Sequence, residues 1–270
     1  MRALDQIGGW GAEHAAGVVV SPRGVVAAAG DDDYFFRWAS VTKLLTACAL
    51  LVAAEESVVD LDGAAGPEGS TVRHLLAHAS GLPFEGETPI ARPGERRIYS
   101  NTGYEVLAAH LEARAEMGFG EYLAAAVLRP LDLEQTELRG SPAHGAWGFI
   151  GDLARLGREL LAPTLVARET LAEATTVVFP GLKGVLPGIG RFDPLDWGLG
   201  FELKDAKSPH WTGLRNSSST FGHFGGAGTF LWVDPDAGLA CACLSDREFD
   251  EWALDAWPRL SDAVLAEARD

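Results

Sequence analysis

The sequence predicts an α/β (α+β) protein in which an antiparallel sheet flanked by helices carries an inserted all-helical lobe. Three observations predict it: two β-branched runs around a turn near the start, a long middle with apolar residues at helical spacing, and short strand-like runs near the end. Strands at both ends can share one sheet if the middle is set aside, so residues 1–60 and 185–270 are expected to form an α/β sandwich lobe. Residues 61–184 are then the helical lobe.

The elements follow in chain order. "GVVVSPRGVVAAAG" (Gly17 to Gly30) reads as a hairpin, two short runs around Ser-Pro-Arg-Gly. The run from Ser40 to about Glu56 is apolar on every face, which for a helix means burial inside a larger body. "TVRHLLAHAS", "NTGYEVLAAHLEARAE", "FGEYLAAAVLRPL" and "GDLARLGRELLA" have helical spacing and are separated by Gly and Pro clusters. From Trp197, "WGLGFEL", "GTFLWVD" and "GLACACLSD" read as antiparallel strands, with "PDAG" a turn between the last two. Trp252 to Ala268 is helical again, with Pro258 either kinking it or opening a new first turn.

Composition excludes several functions. With 270 residues, 47 % hydrophobic and 22 % charged, the chain can bury a large core. A net charge of -16 repels polyanions and offers no basic stripe, so neither nucleic acid nor an anionic membrane is an expected partner. Asp5, Glu13 and His14 precede a first apolar run of six residues, "AAGVVV", which does not read as a signal peptide, and no later run reaches membrane-spanning length. The cysteines Cys48, Cys241 and Cys243 are odd in number, and the last two share a face of a strand, against a disulfide framework. A cytoplasmic location is the expectation.

The chemistry starts at Ser40-Val41-Thr42-Lys43. Three residues apart on a helix, the Lys43 amine can reach the Ser40 hydroxyl, and an apolar helix desolvates the lysine, which favours its neutral form. A neutral amine beside a hydroxyl is a base beside a nucleophile. On these two residues alone, an N-cap serine and a surface lysine explain the pattern equally well. Tyr99-Ser100-Asn101 precedes a helical run, with Asn101 or Thr102 available as its cap. Tyr99 can relay a proton, and Asn101 can donate to a substrate carbonyl or orient Lys43. His223-Phe224-Gly225-Gly226 places glycines where a strand lets a ligand approach the backbone, and the Gly226 and Ser40 N–H groups can form an oxyanion hole.

In this order the three blocks resemble the serine β-lactamase and penicillin-binding-protein superfamily, specifically the class C-like branch that includes serine esterases and D-aminopeptidases. "LLAHASGLP" (Leu75 to Pro83), "PG…YSNTGY" and "GHFGGAGTFLWVDP" are similar to signatures of that branch. The resemblance implies a β-lactamase/transpeptidase-like fold with the active site between the lobes and no cofactor. It implies Ser40 as the acylated nucleophile, Lys43 as its base, Tyr99 as the proton shuttle and Asn101 as a substrate-binding amide. It further implies that His223, Gly225 and Gly226 line the substrate strand. Phe224 stands where β-lactamases and DD-peptidases carry a hydroxyl that holds a substrate carboxylate, so a small ester or amide is the expected substrate. A β-lactam or D-amino-acid peptide is the alternative, and a non-catalytic binding relative is the rival of another class.

Other residues of chemical interest read as structural. His74 and His78 have the spacing of a zinc pair but lack the intervening glutamate, so no metal site is expected. Asp60-Leu61-Asp62-Gly63 and Asp31 to Asp33 read as turns, Cys48 as a core residue, and the eight tryptophans as core and cleft lining.

Overall fold

The computed structural model describes residues 1–268. The chain opens with a 3-10 helix (Arg2–Gly9), then β1 (Ala15–Ser21), β2 (Gly24–Gly30), β3 (Phe36–Arg37), α1 (Thr42–Glu55) and α2 (Val72–Leu76). Next come β4 (Arg97–Ile98), α3 (Asn101–Ala115), α4 (Phe119–Leu123), β5 (Glu137–Leu138), β6 (Ala146–Gly148), α5 (Ile150–Leu161) and α6 (Arg168–Ala174). The final stretch is β7 (Gly184–Leu186), β8 (Gly190–Phe192), β9 (Glu202–Leu203), β10 (Phe221–Gly225), β11 (Thr229–Asp234), β12 (Leu239–Ser245) and α7 (Glu251–Glu267).

The main sheet is antiparallel, in the order β2-β1-β12-β11-β10-β9. Its centre joins the two ends of the chain, with Val18 opposite Ala242, so the sheet is built from both termini as the sequence predicts. Alternate strand residues face opposite sides. Val18, Val20, Leu231, Val233 and Ala242 pack with α1 and α5 in the larger core, whereas Val19, Phe230, Trp232 and Cys241 pack with the 3-10 helix and α7 in the smaller one. Cys243 joins Cys241 on that second face, and both thiols are free.

Helix α1 is buried without a break from Thr42 to Ala53, which is why its sequence has no polar face. Helix α5 belongs to the 61–184 segment, yet it lies on the sheet: a Cβ at Gly157 would stand 3.2 Å from the Leu231 side chain. The 3-10 helix was not anticipated, although Leu4, Ile7 and Trp10 recur every three residues, the period of that helix. In "WGLGFEL" only Glu202–Leu203 is strand, because the chain turns at Gly200 with φ +91. There a Cβ would meet the Ala47 Cβ at 2.3 Å, so glycine permits close contact with α1. Pro258 lies inside α7 and does not divide it. Among the described residues no helix is long and apolar enough to cross a membrane.

Candidate active site

Ser40 sits in a short 3-10 turn, Ala39–Val41, that runs directly into α1 at Thr42. Ala39 has φ +47, the left-handed region, which marks the turn as constrained. Lys43 is fully buried, and its Nζ lies 3.5 Å from Ser40 Oγ. The amine donates to Asn101 Oδ1 at 2.7 Å and to the Ala143 carbonyl at 3.0 Å. Two N–H bonds to two acceptors leave the nitrogen's lone pair for Ser40, which is the complement of a neutral amine. Desolvation by burial pushes the Lys43 pKa well down, and the Glu105 carboxylate works weakly against that.

The cap of α3 is Ser100, whose Oγ accepts from Gly103 N at 2.9 Å, and not Asn101 or Thr102. With the cap supplied by Ser100, the Asn101 side chain is released toward Lys43. Tyr99 is partly buried, and desolvation raises its phenol pKa, with the nearby Ser40 working against that rise. Its oxygen lies 3.4 Å from His223 Nε2, while His223 Nδ1 lies 2.6 Å from the Phe224 carbonyl. A carbonyl only accepts, so Nδ1 carries the proton and Nε2 is free to accept from Tyr99. Burial first, then the neighbouring Lys43, lowers the His223 pKa to about 3, so the ring is neutral.

Strand β10 brings His223 and Gly225 toward Ser40. A Cβ on Gly225 would meet the Trp38 carbonyl oxygen at 2.6 Å, so glycine lets β10 close against the segment that carries the serine. At Gly226 nothing lies within 4 Å of a Cβ, so close packing does not require glycine there. Among the described residues neither the Ser40 nor the Gly226 amide donates to a protein acceptor. Phe224, placed on the substrate side by the sequence reading, faces away: the strand's alternation points it into the smaller core, with ring centroids 5.0 Å from Phe249 and 5.7 Å from Trp211.

Two contributors were missed. The Ala143 carbonyl carries no side-chain signal at all. His78 was considered only as a metal ligand, yet α2 ends at Leu76, so the helical spacing to His74 is broken. His74 instead bonds Thr71 Oγ1 at 2.9 Å, and His78 Nδ1 accepts from Ser100 N at 3.1 Å, holding the Tyr99–Asn101 segment. Among the described residues no group of three His, Cys, Asp or Glu side chains converges on a metal position.

The sequence profile of the beta-lactamase family matches residues 10–265. The chain belongs to the beta-lactamase family. It is 54 % identical to a beta-lactamase from Mycobacterium bovis of known crystal structure, with a TM-score of 0.97 over 98 % of this chain and 99 % of that one. It is 26 % identical over 250 residues to penicillin-binding protein 4* of Bacillus subtilis (strain 168), a match taking in 75 % of this chain and 53 % of the relative. The chain therefore spans about half the length of that curated relative. EstCE1, a hydrolase with promiscuous acyltransferase activity, shares the fold at 16 % identity, with a TM-score of 0.78 over 97 % of this chain and 98 % of that one. The match to a penicillin-binding protein agrees with that family's place in the β-lactamase and penicillin-binding-protein superfamily.

Proposed function

We propose that the chain hydrolyses small esters or amides, carboxylesters foremost, through an acyl-enzyme on Ser40 and without a cofactor. The observation that carries this reading is the buried Lys43 amine, held by two neutral acceptors with its free valence 3.5 Å from Ser40 Oγ. In acylation the Ser40 proton passes to Lys43 as Oγ adds to the substrate carbonyl, and the oxyanion is met by the Ser40 and Gly226 N–H groups. The bond to the leaving oxygen or nitrogen then breaks as that atom takes a proton from Tyr99, which Lys43 replenishes. Water reverses the sequence: its proton returns through Tyr99 and Lys43, hydroxide adds to the acyl carbon, and Ser40 leaves protonated. His223 Nε2 orients the Tyr99 hydroxyl, and Asn101, with its oxygen engaged by Lys43, has its NH₂ left for the substrate carbonyl.

The test is peptide mapping after exposure to a fluorophosphonate. An adduct on Ser40, absent from Ser40→Ala, is expected; no adduct on Ser40 at any concentration overturns the reading. A β-lactamase reading is favoured by the 54 % identity to the Mycobacterium bovis beta-lactamase. Against it, neither Lys43 nor His223 offers a permanent positive charge to a substrate carboxylate. Rates with a short-chain nitrophenyl ester and a chromogenic cephalosporin separate the two.

A further inference from the structure

The turn between β5 and β6, residues 139–145, lies along the start of α1 and presents the Ala143 carbonyl to Lys43 Nζ at 3.0 Å. It is tightly wound: Gly145 N donates to the Ser141 carbonyl at 2.8 Å, and a Cβ at Gly145 would stand 2.7 Å from the carbonyl oxygens of Ser141 and Arg139. Two threonines of α1 grip the turn on either side of the lysine. Thr42 Oγ1 accepts from Ala146 N at 2.9 Å, and Thr46 Oγ1 donates to the Pro142 carbonyl at 2.7 Å. Neither contact is made to Ala143 itself.

A third hold comes from α3. Glu105 stands four residues after Asn101, one helical turn on, so the two side chains lie on the same face. Asn101 Oδ1 accepts from Lys43, while the Glu105 carboxylate accepts from the Ser141 hydroxyl. Ser141 Oγ in turn accepts from Ala143 N at 3.1 Å, so one hydroxyl joins the carboxylate to the residue whose carbonyl meets Lys43. A hydroxyl that donates to a carboxylate is polarised into a better acceptor for its other partner. Glu105 is exposed and makes no ion pair among the described residues, so a cation on the surface does not account for its placement.

We propose that Glu105 is a positioning residue for the general base: through Ser141 it sets the Ala143 carbonyl against Lys43, so that one turn of α3 fixes both acceptors of the amine. The inference rests on the Ser40 acyl-enzyme reading. Lys43 aims its remaining valence at Ser40 only while both acceptors are in place, because an amine released from either can turn its lone pair elsewhere. The carboxylate has a second effect. Lys43 is faced by Glu105 and Tyr104 from α3, by Tyr99 just ahead of that helix, by His78 beyond α2 and by His223 from β10, and Glu105 is the one carboxylate among them. Its charge favours the ammonium, against the larger effect of burial.

The test follows the rate of Ser40 labelling by a fluorophosphonate against pH. Glu105→Ala and Ser141→Ala are each expected to lower the plateau rate several-fold, and the double variant to lose no more than either single, because both break one connection. Glu105→Gln keeps an acceptor for Ser141 and should recover most of the plateau. Its acid limb should move down by about half a unit, because a negative charge that favoured the Lys43 ammonium is gone. A plateau untouched by Glu105→Ala, a Glu105→Gln as slow as Glu105→Ala, or losses that multiply in the double variant overturns the proposal. The carbonyl-carbon NMR signal of Ala143, which reports the hydrogen bond to Lys43, needs no turnover: it should move in Glu105→Ala and Ser141→Ala and return in Glu105→Gln even if Ser40 is never labelled. A signal indifferent to Glu105→Ala sinks the positioning role, whereas the absence of an adduct on Ser40 of the unaltered chain defeats the acyl-enzyme reading alone.

Discussion

Lys43 Nζ and Asn101 Oδ1 stand 2.7 Å apart, a donor against a neutral acceptor in a buried site. Burial disfavours the ammonium, and a neutral acceptor does not restore it. Asn101→Asp keeps the shape and adds a negative charge, which favours the ammonium and removes the base. Ser40 labelling by a fluorophosphonate near neutral pH is expected to fall about a hundredfold, with the acid limb of its pH profile moved up by roughly 1–3 units. Asn101→Ala removes the acceptor and adds no charge, so its limb does not move up. A limb that stays in place for Asn101→Asp contradicts a neutral Lys43.

His223 predicts a pH dependence of stability. Its folded pKa is about 3, below the 6.5 of the free side chain, so between those values the unfolded chain binds the extra proton. Its contribution is fully present above pH 6.5 and is lost as pH falls toward 3, at roughly 1.4 kcal/mol per pH unit where the slope is complete. His223→Gln should therefore flatten the acid limb of denaturant-unfolding stability by about one proton. An unchanged slope would mean that the imidazole is solvated in the folded protein.

How much of this was legible depended on where the information sits. Long periodic segments such as α1 and α3, and the β11–β12 hairpin around "PDAG", announce themselves because side-chain pattern and turn chemistry agree. The serine, lysine, tyrosine and asparagine were legible as types at fixed spacing. The small sheet of β4, β7 and β8 was not, since two- and three-residue strands have no period to detect. Phe224 misled because its position was judged by analogy, whereas strand alternation sends it to the core.

The two glycines of β10 and its turn predict different outcomes. Gly225→Ala drives a methyl into the Trp38 carbonyl oxygen and the Thr229 Oγ1, backbone and buried atoms that cannot step aside. It should cost about 1–3 kcal/mol by thermal or denaturant unfolding and slow Ser40 labelling, because the strand is levered off the serine turn. Gly226→Ala meets nothing within 4 Å and should unfold at the wild-type temperature. Equal stability losses for the two would show that the close approach at Gly225 is not what requires glycine.

His78 supplies the last prediction. Its Nδ1 accepts the Ser100 amide at 3.1 Å, its ring lies 4.6 Å from that of Tyr99, and its pKa is held well below the usual value by burial. The residue also has φ +54, a left-handed conformation in which histidine and asparagine are enriched. His78→Phe keeps a ring but strands the Ser100 N–H, at a cost of about 1–3 kcal/mol. Because Ser100 lies between Tyr99 and Asn101, kcat should fall about tenfold as the proton relay loses its alignment, with KM less affected. His78→Asn restores the acceptor and should recover kcat while forgoing the stacking. If His78→Phe keeps kcat while His78→Asn loses it, the ring and not the acceptor positions Tyr99.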